Sequence, residues 1–168
     1  MKNFWNIFSL STAILAIGLF ITLEYLLTNK IEPIVYDKVI DKIELNLCDE
    51  GRILQYYMVS TDYHGGKRAI KNKLLPLIEK DRISFGSDNG NIAVRFVVSC
   101  NGEIGLFRAK AIAQNRKKID FDKTNIEYLI SLVSQLDNWN VETKKDKKYD
   151  SYYYINFKIR NGLVIDIF

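Results

Sequence analysis

The stretch Ile92 to Arg108, IAVRFVVSCNGEIGLFR, constrains the fold more than any other part of the chain. Ile92, Val94, Phe96 and Val98 recur at period two, the pattern of a strand with one buried face. Asn101-Gly102 follows between two apolar runs, and both residues accept positive φ, so the stretch reads as a β-hairpin. A two-residue turn would set Phe96 opposite Phe107 and leave Ile104 on the outer face with Ser99. A three-residue turn with Gly102 left-handed pairs Val98 with Ile104. A bulge at Gly105 then returns Phe107, Ala109 and Ala111 to the core side. The bulged arrangement is the one expected.

Downstream, Thr124-x-x-Glu127 has the form of a capping box, and Ile126, Leu129, Ile130, Val133 and Leu136 make one apolar stripe. That predicts a helix covering the sheet, ended by Asp137-Asn138-Trp139-Asn140. Tyr153, Ile155, Phe157 and Ile159 then alternate on a strand, and Leu163, Ile165 and Ile167 on another. A two-residue Asn161-Gly162 turn would set Asp166 against Phe157 and bury a carboxylate. The loop Arg160-Asn161-Gly162 instead pairs Ile159 with Leu163, Phe157 with Ile165, and Ile155 with Ile167, and is preferred. Upstream, Ile43 to Leu47 and Ile53 to Thr61 read as strands. Lys67 to Lys80 has helical spacing, with Pro76 expected to kink or stop it near Leu75.

The N-terminus has a different character. From Phe4 to Leu27 a single charge, Glu24, interrupts an apolar run long enough, at about 1.5 Å per residue, to cross a hydrocarbon core of about 30 Å. Trp5 and Tyr25 fall near its ends, where amphipathic rings favour the headgroups. A cleavable signal is the rival reading, but Glu24-Tyr25-Leu26-Leu27 offers no small-x-small site. The expectation is an inner-membrane, single-pass protein anchored through residues 4–27, with its C-terminal domain in the periplasm; secretion after cleavage is the alternative. Residues 1–27 are then anchor or uncleaved signal, 28–42 a short linker, 43–66 an N-terminal extension of the domain, and 67–168 the domain proper.

Chemistry is sparse. The 24 basic and 20 acidic residues leave a net charge of +4, too weak and mixed to imply nucleic acid. His64 is the one histidine, in a turn-like Tyr-His-Gly-Gly, and an enzyme would have to rely on it or on Cys100. Cys48, Cys100 and His64 lack the close spacing of a structural zinc site, and no nucleotide fingerprint occurs, so no metal, cofactor or catalytic residue is expected. In an exported domain Cys48 and Cys100 are candidates for a disulfide. Closing a loop of about fifty residues would contribute about 4 kcal/mol. Thr143 to Asp150 carries four lysines and two aspartates and reads as a solvated loop.

These pieces resemble a known family. Val94-Arg95-Phe96-Val97-Val98-Ser99-Cys100-Asn101-Gly102-Glu103-Ile104-Gly105, then Leu136-Asp137-Asn138-Trp139, then Tyr154-Ile155-Asn156-Phe157-Lys158-Ile159, follow the order of the TonB carboxy-terminal domain. The resemblance covers about Lys67 to Phe168. It is strongest to small anchored members that add Gln55-Tyr56-Tyr57 and Tyr63-His64-Gly65-Gly66 in front. It implies an α+β fold, in which an N-terminal transmembrane helix precedes a small antiparallel sheet with one main helix packed on it. It also implies non-enzymatic work: binding a protein partner in the cell envelope by strand addition. A homodimer is a further expected form of association. The expected edge comprises Ile155, Phe157, Leu163, Ile165 and Ile167, with Arg95 and Arg108 placed to attract an acidic segment. TonB-type energy transduction to an outer-membrane transporter, driven by ExbB and ExbD, is the second reading. The anchor has no histidine, and the linker is too short and proline-poor to cross a periplasm. A thiol or histidine enzyme ranks third.

Overall fold

A computed structural model describes residues 2–28, 34–38, 40–41, 45–49, 52–86, 89–114, 119, 121–143 and 146–168, with the side chains of α1 described over 9–23. The chain forms two compact units, Met1–Pro33 and Ile34–Phe168. The first holds one helix, α1 (Lys2–Thr28). Its described apolar side chains are exposed all round, from Leu10 at 64% to Leu23 at 53%, so it has no buried stripe of the kind a globular helix carries. The expected span, Phe4 to Leu27, runs past these side chains at both ends. Among the described residues no helix is long and apolar enough to cross a membrane.

The second unit is α+β. Its elements are β1 (Leu54–Gln55), β2 (Asp62–Tyr63), α2 (Gly66–Asp81), β3 (Gly90–Val98), β4 (Ile104–Ala113), α3 (Lys123–Val133), β5 (Trp139–Asn140), β6 (Ser151–Arg160) and β7 (Leu163–Ile167). The main sheet runs β1-β6-β3-β4, with β7 also on β6, while β2 and β5 form a separate pair. β1 lies parallel to β6 and the other pairs are antiparallel, so the sheet is mixed.

The hairpin forms as expected. Ser99 N–H donates to the Glu103 carbonyl at 2.7 Å, Gly102 takes φ +83°, and Val98 faces Ile104. The bulge falls one residue beyond Gly105, at Leu106 (φ +56°), with the register shifting between Arg95 and Val97. Ala111 is therefore buried and Phe107 and Ala109 pack on the core, while Leu106 turns to the opposite face.

The sheet buries both faces. On one, Ile92, Val94, Phe96, Tyr153, Phe157 and Ile159 meet Ile70, Leu74 and Ile78 of α2 and Leu129, Leu132 and Val133 of α3. On the other, Val97, Leu106 and Tyr152 are covered by Ile34, with Tyr36, Leu45, Leu47 and Ile53 packed around them. The stretch expected to be a free linker, 28–42, is thus part of the packed unit from Ile34 onward.

Several local expectations are corrected. Pro76 does not stop α2, which continues to Asp81; its ring lies on the exposed side, where the Asn72 carbonyl it leaves unpaired can meet water. The cap of α3 is Asp122, whose carboxylate accepts from Thr124 N–H at 2.7 Å, so Thr124 lies inside the helix and is not its cap. Leu132 joins the buried stripe, whereas Ile126 and Ile130 are only partly buried. Ile53 to Thr61 is a two-residue strand followed by a 3-10 turn at Tyr56–Met58. Of the strand expected at Ile43 to Leu47, the first two residues lie outside the described set, and the rest is irregular.

The last hairpin turns on two residues, Asn161 (φ +49°) and Gly162 (φ +73°). A Cβ on Gly162 would run into the Gly86 carbonyl oxygen, so the turn needs glycine twice over. A bulge between Lys158 and Ile159 then replaces the expected register: Ile159 faces Val164 and Phe157 faces Ile167. Val164 and Ile167 are buried, while Leu163 and Ile165 are exposed. The buried carboxylate that argued against this turn never arises, because Asp166 pairs with Lys71 of α2 at 2.6 Å on the half-exposed side.

Candidate partner-binding edge and its supports

β6 is an interior strand. It pairs with β3 from Ser151 to Ile159 and, on its other side, with β1 at Ser151 and Tyr152 and with β7 at Phe157 to Arg160. Asn156 and Phe168 exchange both backbone hydrogen bonds at 3.0 Å, which extends the β7 pairing by a further residue. Ile155, Phe157 and Ile167 are therefore core residues, at 2%, 0% and 4% exposure. Their side chains are taken up by the core. Leu163 and Ile165 remain at the surface, but β7 is short, bulged and packed along α2, features that blunt an edge.

The long one-sided strand is β4. Among the described residues its ten positions pair only with β3. The bonded Ser99–Glu103 pair fixes the phase of the ladder. Arg108, Lys110 and Ile112 turn their backbone groups toward β3, and Ala109, Ala111 and Ala113 turn theirs outward. Ala109 and Ala113 are half-buried there and Ala111 is buried. Lys110 is the exposed charge on this edge.

The two arginines are already engaged. Arg108 grips Asp41 through both guanidinium nitrogens, at 2.7 and 2.9 Å, and also donates to the Val35 carbonyl at 2.7 Å. Arg95 lies over the Tyr152 ring, 4.0 Å from its centroid. The acid that Arg108 attracts is thus within its own chain.

The Arg108 guanidinium holds the Asp41 carboxyl below the usual carboxylate range, against the opposing effect of burial. A carboxyl depressed on folding adds stability above its unfolded pKa of about 4 and loses it as pH falls through the lower folded value. Asp41→Asn is therefore expected to cost about 1–2 kcal/mol near neutrality, with the deficit shrinking below about pH 4. Urea unfolding at pH 7 and pH 3 measures both.

Cys48 and Cys100 are joined by a disulfide, their Cα atoms 6.1 Å apart. Beside it, fully buried Asp150 accepts three backbone N–H bonds: from Cys48 at 2.8 Å, Asp49 at 2.9 Å and Cys100 at 2.8 Å. Its own carbonyl accepts from Leu54 N–H at 3.0 Å, which starts the β1–β6 pairing. The two sulfurs and this carboxylate lie within 4.8 Å of one another. The sulfurs are taken up by their bond, however, and the carboxylate by the amides, so Cys100 offers no free thiol. His64 is exposed, and its backbone N–H donates to the Asn138 carbonyl at 2.8 Å.

Asp150 is the residue the sequence concealed: it stands at the end of a lysine-rich loop, and its partners are amides far away in the chain. No family model, curated protein or solved structure matches the chain.

Proposed function

We propose that this is a membrane-anchored, non-enzymatic cell-envelope protein whose folded unit, of TonB carboxy-terminal type, binds an extended segment of a protein partner by strand addition along β4. The observation that carries this reading is the ten-residue strand that, among the described residues, pairs on one side only, with outward peptide groups at Ala109, Ala111 and Ala113. A ladder of unpaired N–H and C=O groups is complementary to one thing, another extended chain.

The anchor rests on α1. Its described apolar side chains, over 9–23, are exposed all round, and lipid is the surrounding that suits such a surface. The strand-turn-strand-helix-strand order and the Leu136-x-x-Trp139 element support the family resemblance. The domain's packed unit begins at Ile34. The five residues left between α1 and that unit stretch to about 20 Å at most. A tether of that length cannot reach across an envelope compartment, so binding at the membrane is favoured over energy transduction to a distant transporter.

Photo-crosslinking from intact membranes tests the edge. Reactive residues at Lys110 and Ile112 are expected to capture a partner segment, while one at Ile165 captures none. Capture from Ile165 alone would move the interface to β7, and capture of a second copy would make the edge a homodimer contact. Either result overturns the assignment.

A further inference from the structure

The segment 34–53 covers one face of the sheet without contributing regular secondary structure among its described residues. It is held by discrete fastenings. At one end Arg108 binds Asp41 and the Val35 carbonyl, and the Tyr152 hydroxyl accepts from Ile34 N–H at 3.2 Å. At the other stand the disulfide and the two amides, of Cys48 and Asp49, that reach Asp150. Between them Leu45 and Leu47 rest on Val97, Leu106 and Tyr152, and Leu45 closes over Gly105, where an added Cβ would come within 3.2 Å of it.

We propose that the Cys48–Cys100 disulfide is a reducible latch, and that a dithiol reductant releases residues 45–49 of this segment from the sheet face formed by Val97, Leu106 and Tyr152. The two sulfurs are unequal: Cys48 is exposed and Cys100 is buried. An incoming thiolate therefore attacks the Cys48 sulfur, forming a new S–S bond to it. The Cys48–Cys100 bond breaks and Cys100 leaves as a thiolate, which takes a proton from water. The second thiol of the reductant then attacks its own sulfur in the mixed disulfide. Cys48 is freed and takes up a proton, and the reductant departs as its disulfide, so two electrons and two protons have passed to the protein.

Two thiols cannot sit as close as two bonded sulfurs. Without the bond nothing covalent holds Cys48 at Cys100, and the Cys48 and Asp49 amides, which belong to exposed residues, can trade the carboxylate for water. Cys100 N–H stays on Asp150, because both belong to the sheet side of the latch. Among the described residues the released end has no ladder hydrogen bonds to fall back on. The inference stands apart from strand addition, since the latch lies on the sheet's face and the outward groups of β4 lie on its edge.

Hydrogen exchange of the full chain in detergent micelles, oxidised and then reduced with dithiothreitol, reads the opening directly. Amides at 45–49 are expected to exchange about tenfold faster or more on reduction, and equally fast in a Cys48→Ser/Cys100→Ser double variant. Those of β3, β6 and α3 should be unchanged. Acceleration of all regions together would make the bond a staple for the whole fold, and no acceleration at 45–49 would leave the segment held by its other contacts. Each of those results overturns the proposal. In a Cys100→Ser variant, thiol alkylation at Cys48 faster than alkylation at Cys100 in Cys48→Ser is expected; the reverse order would overturn the assigned point of attack.

Discussion

Asp150→Ala is expected to destabilise the oxidised protein by about 3–5 kcal/mol, because it removes the acceptor of one buried and two part-buried amides at once. The carboxylate accepts from Cys48, Asp49 and Cys100 in a site without solvent exposure. Each charge-assisted bond is worth about 1.5–3 kcal/mol, and a donor left buried without a partner costs about 1–3 kcal/mol. The losses do not add fully, since the loop can shift to admit water. Asp150→Asn separates shape from charge. It keeps one carbonyl oxygen for Cys100 or for the Cys48 and Asp49 pair, but sets an NH2 against the remaining donors, so a large share of the loss should persist. Denaturant unfolding of both variants with the disulfide intact measures this. A loss under about 1 kcal/mol for Asp150→Ala would mean that the crosslink alone holds the segment and that the carboxylate is incidental.

That residue marks where reading the chain stops working. The hairpin at Ile92 to Arg108 was legible because both of its signals are local: period-two apolar residues and a glycine that the turn needs left-handed. The inner face of β6 was legible for the same reason, with Tyr153, Ile155, Phe157 and Ile159 all buried. The failures share a non-local cause. The register of β7 was chosen to keep Asp166 out of the core, yet Lys71, 95 residues away, supplies its partner and a bulge absorbs the offset. Arg108 was assigned to an acidic partner on another chain because Asp41 lies 67 residues away, in a stretch that looked like linker. Asp150 sat in a run of lysines that has every mark of a solvated loop. In each case charge was read from its neighbours in sequence, and the fold brought a different neighbour.

The side chains expected to face outward on β7 differ for another reason. Exposed and buried positions on β7 follow alternation only within a fixed register, and the one-residue bulge exchanged Ile165 for Val164 on the core side. Which strand is outermost is a matter of topology. The order β1-β6-β3-β4 places the N-terminal two-residue strand on β6 and, among the described residues, leaves β4 without a strand on its far side. Nothing in residues 104–113 alone announces this, beyond alanines that suit a close approach by another backbone.

Trp139→Ala is expected to cost about 3–5 kcal/mol and to disrupt packing between the two sheets. The indole is 8% exposed and makes edge-on contacts with Tyr153 at 4.7 Å, Tyr63 at 5.3 Å and Phe96 at 5.4 Å between ring centroids. It therefore ties β5 and its partner β2 to the strands β3 and β6 of the main sheet. Its Nε1–H donates to the Leu136 carbonyl at 3.0 Å, meeting an acceptor just past the end of α3. This is the physical content of the Leu136-x-x-Trp139 spacing: the leucine closes the helix's buried stripe and its carbonyl receives the indole three residues on. Tyr153 shares the site, and burial followed by its hydroxyl bond to Asp62 pushes its phenol above the ordinary range, so it stays neutral and packs as a ring. Trp139→Phe keeps a ring among the three neighbours but loses the N–H, and should cost about 1–2 kcal/mol. Denaturant unfolding ranks the two variants, and near-ultraviolet circular dichroism reports whether the cluster keeps its order. If Trp139→Phe loses as much as Trp139→Ala, the stabilisation lies in the bond to Leu136. The motif would then be a helix-terminating device before it is a packing one.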